Sequence, residues 1–153
     1  MKRLIGGLLA AAAFAGSAQA ATVFGIDENN NLVTFDSANP ANFTRQVAIT
    51  GTTATFLAID FRDSNGRLYG LGDDLTLYTI NTGNGVASAI GGPLALSGSN
   101  FGFDFNTVVD AIRIVSNDDS NYVVNADTGA ISTVATPVAY GAGDVNAGRN
   151  AIV

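Results

Sequence analysis

The chain contains no histidine and no cysteine, and its one lysine is Lys2. A Ser-His-Asp triad, a cysteine nucleophile and a His- or Cys-ligated zinc or haem site therefore lack the side chains they need. If the N-terminal segment is removed on export, lysine is lost as well, which excludes Schiff-base catalysis and Ser-Lys dyads. Only carboxylate chemistry, or a metal held by carboxylates, is left as a route to catalysis.

Basic residues are scarce, and two of the seven stand at positions 2 and 3. Lys2 and Arg3 precede an apolar run from Leu4 to Ala15, and Ala18-Gln19-Ala20 has the small-x-small pattern of a signal-peptidase site. A membrane anchor needs roughly 20 apolar residues, and polar and small residues interrupt this run earlier. We expect residues 1–20 to be a cleaved signal peptide and the protein to be secreted or periplasmic, beginning at Ala21.

After such cleavage five arginines face 13 acidic residues, which gives a net charge of −8. A phosphate-binding surface needs clustered Lys and Arg, so we expect no nucleic-acid partner. For the same reason we expect no binding to anionic membranes once the signal peptide is removed. The acidity is typical of a soluble secreted domain.

Helical periodicity is missing after Ala21, and short β-branched or aromatic runs alternate with turn residues. Examples of such runs are Phe56 to Phe61 and Leu75 to Ile80. Turn signals such as Asn65-Gly66 and Asn84-Gly85 separate them. Short strands with turns every 8–12 residues or so predict an all-β protein.

An internal repeat supports this prediction. A shift of 44 positions places Asp60–Ile90 on Asp104–Val134 without a gap, and a shift of 45 brings the N-terminal part into the same pattern. The identical pairs are Asp60/Asp104, Phe61/Phe105, Asp74/Asp118, Tyr78/Tyr122, Asn81/Asn125, Gly85/Gly129 and Ser88/Ser132. The predicted units are residues 21–52, 53–97 and 98–138, with a partial unit over 139–153, in one domain.

Each full unit contains four predicted strands, which in the second unit cover about 56–62, 67–72, 75–80 and 86–91. Four strands in about 44 residues are typical of a β-propeller blade, so we expect a propeller-like array of four-stranded antiparallel blades. Similar hairpins in a β-sandwich are the alternative. The first unit lacks its opening strand, so the array is expected to be incomplete or open and to self-associate through open strand edges.

Three segments carry a resemblance to a known family: ATVFGIDENNNLVTFDSANP, AIDFRDSNGRLYGLGDDLTLYTINTGNG and FGFDFNTVVDAIRIVSNDDSNYVVNADTGA. Together they make the chain resemble the exported bacterial family called domain of unknown function 4394. The resemblance covers nearly the whole mature chain and implies a propeller-like repeat fold in an extracytoplasmic protein. It implies no activity. Members of the family usually continue further, so the resemblance implies a truncated member.

Several repeated polar residues are candidates for a site. Asp60, Asp104 and Asp144 are each followed by Phe or Val, and they could form a ring of carboxylates that binds a cation or acts as an acid/base pair. Alternatively each accepts backbone N–H bonds in the turn after the first strand of its blade, which we favour. The other repeat positions, predicted to serve the blades structurally, are Tyr78, Tyr122, Asn81 and Asn125.

Asp27, Asn29 and Asn31 follow the Asp-x-Asn-x-Asn pattern of a calcium loop. Leu32 stands where such a loop needs glycine, and no glutamate follows at the twelfth position, so turn formation is the favoured interpretation. The sequence thus predicts a non-enzymatic binding or scaffolding module with no required cofactor. The alternative is a carboxylate-based metal-binding protein or hydrolase that uses the repeated Asp residues, and calcium is the cofactor that the Asp27 loop could bind.

Overall fold

The computed structural model of the protein describes residues 20–150. Residues 1–19, which hold nearly all of the predicted signal peptide, lie outside this range, as do residues 151–153. Within residues 20–150 the chain forms eleven strands and no helix, so no helix there could span a membrane. The strands are β1 (Thr22–Ile26), β2 (Asn31–Asp36), β3 (Phe43–Ala48), β4 (Phe56–Arg62), β5 (Arg67–Gly72), β6 (Leu77–Ile80), β7 (Ala87–Ile90), β8 (Phe101–Asn106), β9 (Ala111–Ser116), β10 (Asn121–Val124) and β11 (Ile131–Val134).

The strands form three antiparallel sheets of sequential hairpins. The first sheet is β1-β2-β3, the second is β4-β5-β6-β7 and the third is β8-β9-β10-β11. The prediction of an all-β chain is confirmed. The strands of the second sheet lie close to the ranges predicted for the second unit. The largest difference is in the third strand, which was predicted to begin at residue 75 and begins at Leu77.

The backbone repeats at the spacings seen in the sequence. Asn30, Leu75 and Asp119 occupy the turn between the second and third strands of the repeat, and each has a positive φ, of 60°, 59° and 67°. Such a conformation is uncommon for residues other than glycine, and least expected for leucine. Its recurrence at intervals of 45 and 44 residues shows that the three hairpins are built on the same turn.

The segment after β11 differs from the expectation. Residues 139–150 contain turns and no strand, whereas we expected them to begin a fourth unit. Backbone donors here are used locally, because Asp144 N bonds Gly141 O at 3.0 Å and Ala147 N bonds Asp144 O at 3.0 Å. Gly143 and Gly148, with φ of 98° and 83°, favour this irregular path over an extended strand.

Two hydrophobic cores lie between successive sheets. The N-terminal core joins the first and second sheets and contains Leu32, Ala54, Phe56, Leu68, Tyr78, Ile80 and Ala87. The C-terminal core joins the second and third sheets and contains Tyr69, Leu71, Leu77, Leu94, Phe105, Ile112, Ile114, Tyr122, Val124 and Ala126. The second sheet is therefore apolar on both faces, and alternate residues of β5 and β6 enter opposite cores.

The same aromatic contact occurs at both sheet junctions. Phe24 of β1 meets Phe61 of β4 edge-on, with ring centroids 5.1 Å apart and planes at 70°. Tyr69 of β5 meets Phe105 of β8 at 5.1 Å and 71°. The members of these pairs are related by the repeat shifts of 45 and 44 residues. Successive sheets therefore stack through equivalent residues.

Candidate functional site

A buried arginine links the second and third sheets. Arg62, at the end of β4, is only 8% exposed. Its Nε and Nη2 donate to Asp110 in the β8–β9 turn, at 2.9 and 2.7 Å. Nη1 and Nη2 donate to Asp127 in the β10–β11 turn, and Nη1 also donates to the Tyr69 hydroxyl at 3.3 Å. All five guanidinium N–H donors are thus used within the protein, leaving none for a ligand.

These ion pairs set the charge states of the group. Hydrogen bonds from Arg62 lower the pKa of Asp110 and of Asp127. Conversely, the hydrogen bonds to Asp110 and Asp127 raise the pKa of Arg62, which stays protonated. The Ser64 hydroxyl donates to Asp110 as well, at 3.0 Å from each carboxylate oxygen. The arrangement holds the two sheets together, and the lowered pKa values keep both carboxylates ionised near neutral pH.

The repeated tyrosines lie at the same place in their sheets. Tyr78 is the second residue of β6 and Tyr122 the second of β10, and both are buried. The Tyr78 hydroxyl donates to Asp74 at 2.7 Å and accepts from the Thr52 hydroxyl at 3.0 Å. The Tyr122 hydroxyl accepts from the backbone N–H of Ser97 at 2.9 Å. Burial raises the pKa of Tyr78, so it stays neutral as a fixed donor.

Asp118 is the counterpart of Asp74 in the third sheet. Its carboxylate accepts from the hydroxyls of Ser97 and Ser116 and from the backbone N–H of Ser120 at 3.2 Å. These hydrogen bonds hold the pKa of Asp118 well below the usual range, and the bond from the Ser116 hydroxyl has the largest effect. Ser97 stands 45 positions after Thr52, and both lie in the loop before the first full-length strand of their sheets. Thr52 Oγ1 bonds the Tyr78 hydroxyl, and the Ser97 backbone N–H bonds the Tyr122 hydroxyl.

The three repeated aspartates occupy different settings. Asp60 lies within β4, where Oδ1 accepts from Phe61 N and Oδ2 from Phe105 N of the third sheet, both at 2.8 Å. Asp104 holds the matching place in β8 but is exposed, and its carboxylate has no hydrogen bond among residues 20–150. Asp144 lies in a strandless turn, where Oδ1 accepts from Asn146 N at 2.8 Å.

The position of the first two differs from the turn that was expected, because both lie inside strands. Asp144 does not share their position, because the segment around it does not form a first strand. Across the described part of the chain, no three Asp or Glu side chains come close enough to hold a metal ion.

The calcium-loop candidates form the β1–β2 turn. Asp27 Oδ1 accepts from the backbone N–H groups of Asn29 and Asn31, both at 2.9 Å. Asp27 Oδ2 accepts from Asn31 Nδ2 at 3.0 Å and from Gln46 Nε2 at 2.6 Å. The side-chain hydrogen bond from Asn31 is the main cause of a lowered pKa at Asp27. Asn31 therefore points its donor group at the carboxylate, as in an Asx turn and unlike a cation ligand.

Asn81 and Asn125 close the hairpin between the third and fourth strands. Asn81 Oδ1 accepts from Gly83 N at 2.8 Å, and Asn125 Oδ1 accepts from Asp127 N and Thr128 N at 2.9 and 3.0 Å. In the first sheet Asp36 does the same for Ala38 N. These side chains serve the turns.

An open cleft of about 460 Å³ lies over β5, β6 and β7. Arg67, Thr79 and Ser88 are among its lining residues. The Arg67 guanidinium has no hydrogen bond or ion pair within residues 20–150. Among the described residues that line the cleft there is no carboxylate.

The Arg62 group was missed from the sequence. Repeat comparison selects residues that recur, and the positions equivalent to Asp110 and Asp127 in the second unit are Gly66 and Gly83. A contact made once, between side chains 48 and 65 residues apart, leaves no trace in a periodic pattern.

The lowered carboxylate pKa values predict loss of stability in acid. Asp110, Asp118 and Asp127 have folded pKa values below the unfolded value of about 3.9, so their contribution is present above about pH 4 and is lost as pH falls through the folded values. The urea midpoint should fall as pH drops from about 5 to about 2. In Asp118→Asn the fall should be shallower. An unchanged slope in that variant would show that the serine contacts do not hold the carboxylate ionised.

The fold and these contacts define an all-β repeat protein in which many polar side chains serve turns and sheet junctions. The chain belongs to the family described as domain of unknown function (DUF4394), which it matches over residues 31–153. The family resemblance seen in the sequence is thereby confirmed. A comparison with curated proteins finds no match.

Proposed function

We propose that the protein is an exported, non-enzymatic β-propeller-like module that binds or scaffolds outside the cytoplasm. The observation that carries the proposal is the aromatic contact repeated at its two sheet junctions. The ring pairs Phe24–Phe61 and Tyr69–Phe105 have the same separation of 5.1 Å, at equivalent positions of successive sheets. A stack that repeats one junction is how propeller blades pack around an axis.

The strand order supports the blade-like arrangement. The first strands of the second and third sheets, β4 and β8, are neighbours, and Asp60 of β4 bonds the backbone of β8. Within residues 20–150 the first sheet matches β5, β6 and β7 and has no counterpart of β4. Its β1 therefore has one unpaired edge within residues 20–150, and we propose this edge as one place where another strand can add.

A scaffolding role is also supported by how the polar groups are used. In residues 20–150 every buried side-chain nitrogen or oxygen has a hydrogen-bond partner. Three carboxylates with lowered pKa values, Asp110, Asp118 and Asp127, bind Arg62 or serine hydroxyls. An active site usually contains groups held ready for a substrate, with pKa values shifted toward neutrality.

Thermal unfolding in calcium and in chelator separates this function from the carboxylate-based alternative. Ligands that bind the folded state raise its melting temperature. We expect the melting temperature of residues 21–153 to be equal in millimolar calcium and in EDTA, because donors already occupy the Asp27 carboxylate. If calcium raises the melting temperature and Asp27→Asn abolishes that increase, the metal-binding alternative is favoured.

Processing tests the exported location. We expect the protein recovered from the periplasm or medium to begin at Ala21, because Ala18-Gln19-Ala20 forms the predicted cleavage site. Intact-mass measurement distinguishes this species from the full chain. A species that keeps residues 1–20 and stays with the cells would contradict both the signal peptide and the proposed location.

A further inference from the structure

The third sheet has one face packed in the C-terminal core and one face turned away from it. Phe105, Ile112, Ile114, Tyr122 and Val124 belong to that core. Since neighbouring residues of a strand point to opposite faces, a second set lies on the other face. This distal face contains Gly102 and Asp104 of β8, Arg113 and Val115 of β9 and Val123 of β10.

The equivalent faces of the other two sheets are covered. Phe24 and Tyr69, which hold the place of Arg113, contact Phe61 and Phe105 of the following sheet. Asp60, which holds the place of Asp104, accepts a backbone N–H from that sheet. The distal face is thus the third copy of a surface that is covered in the first two sheets. Its Asp104 carboxylate, unlike that of Asp60, has no hydrogen-bond partner in the described part of the chain.

The residues of this face are paired across the two strands. Asp104 lies directly opposite Arg113, and Gly102 directly opposite Val115. Consider a two-fold axis that lies just above the distal face, parallel to the strands and midway between β8 and β9. Rotation about it places a second copy face to face with the first, so that each residue of β8 meets its cross-strand partner from β9 of the other copy. Asp104 would then face Arg113, and Val115 would face Gly102. The face is therefore complementary to itself in charge and in size.

Arg113 is already oriented for such a contact. Its Nη1 donates to Asn121 Oδ1 at 2.8 Å, and Asn121 Nδ2 donates to the carbonyl oxygen of Thr136 at 2.9 Å. Asn121 is 9% exposed, so this support is buried. The Nε and Nη2 groups of Arg113 have no partner within residues 20–150. A side chain held in this way loses little entropy on forming an ion pair.

We infer that the distal face binds a second copy of this chain, forming a two-fold symmetric dimer with reciprocal Asp104–Arg113 ion pairs. The inference goes beyond the proposed scaffolding role, because it names a partner and a surface. It does not require the unpaired edge of β1. The dimer should weaken with added salt, since its specificity comes from charge pairs at a partly exposed face.

A charge exchange tests the symmetry directly. Size-exclusion chromatography with light scattering, over a range of concentrations, should show residues 21–153 as a dimer. Asp104→Arg and Arg113→Asp should each weaken dimerisation by about 10-fold or more, because like charges then meet across the axis. The double variant Asp104→Arg/Arg113→Asp should restore dimerisation to within about 3-fold of the original, because the exchanged charges pair again.

Asp63→Arg is the matched control, since it makes the same charge change at an exposed residue outside the distal face and should leave the dimer intact. Circular dichroism of each variant separates loss of the dimer from loss of the fold. A protein that is monomeric at every concentration overturns the inference. So does a double variant as weak as the single ones, which would mean that Asp104 and Arg113 do not meet across a two-fold axis.

Discussion

Replacing Arg62 with methionine is expected to lower the free energy of unfolding by about 3 kcal/mol, the low end for removal of one partner of a buried ion pair. Methionine fills much of the same volume but donates no hydrogen bond. Asp110 and Asp127 then lose their cation while remaining charged, and the Tyr69 hydroxyl loses a donor. Their carboxylates are partly exposed, which limits the loss. Urea denaturation at neutral pH measures the change.

Arg67→Met is the matched control, because it removes the same side chain from an exposed position with no ion pair within residues 20–150. Its effect should stay within about 0.5 kcal/mol. Arg62→Lys should fall between the two, since lysine keeps the charge but cannot donate in the planar fork that reaches both carboxylates. Equal stability of the two methionine variants would contradict a structural role for the Arg62 group.

Gly129→Ala is expected to cost about 3 kcal/mol or more, from two causes that act together. Gly129 has a φ of 66°, where an alanine is strained. In addition, an added methyl group would run into the carbonyl of Ile90, whose carbon would stand only 2.9 Å away. That carbonyl belongs to the second sheet, so the methyl group would push the second and third sheets apart.

Gly66→Ala separates the two causes. Gly66 has nearly the same φ, 65°, but a methyl group there meets no atom within 4 Å. The stability of this variant should fall by only about 1 kcal/mol, the cost of placing an alanine at a positive φ. Thermal or urea denaturation of both variants gives the difference. If they prove equally unstable, close contact between the second and third sheets at Gly129 is not a source of stability.

Local features of the fold could be predicted from the sequence because they recur. The strands of the second sheet follow from β-branched and aromatic runs set between Asn-Gly turns. The matching places of Tyr78 and Tyr122 follow from a gapless 44-residue shift. Each of these is a pattern within a few residues, copied once or more along the chain, so chance agreement is small.

Contacts between sheets could not be predicted in the same way. The roles of Arg62, Asp110 and Asp127 depend on which turns meet when sheets stack, and nothing in their local sequence fixes that. The prediction that a further unit begins around Asp144 failed for another reason. Its Asp-Val-Asn motif resembles the first strand of a unit, but the nearby glycines and local turn bonds favour an irregular path.

The second sheet lies between the two hydrophobic cores and contributes residues to both. Residues of the second sheet bury side chains on both faces, whereas the first and third sheets each face one core within residues 20–150. Repeat structures of this kind lose order from their flanks, unit by unit. Amide protons of β5 and β6 should therefore exchange with solvent most slowly, reporting the opening of the whole molecule. Those of β1, β3 and β11 should exchange through smaller, more frequent fluctuations.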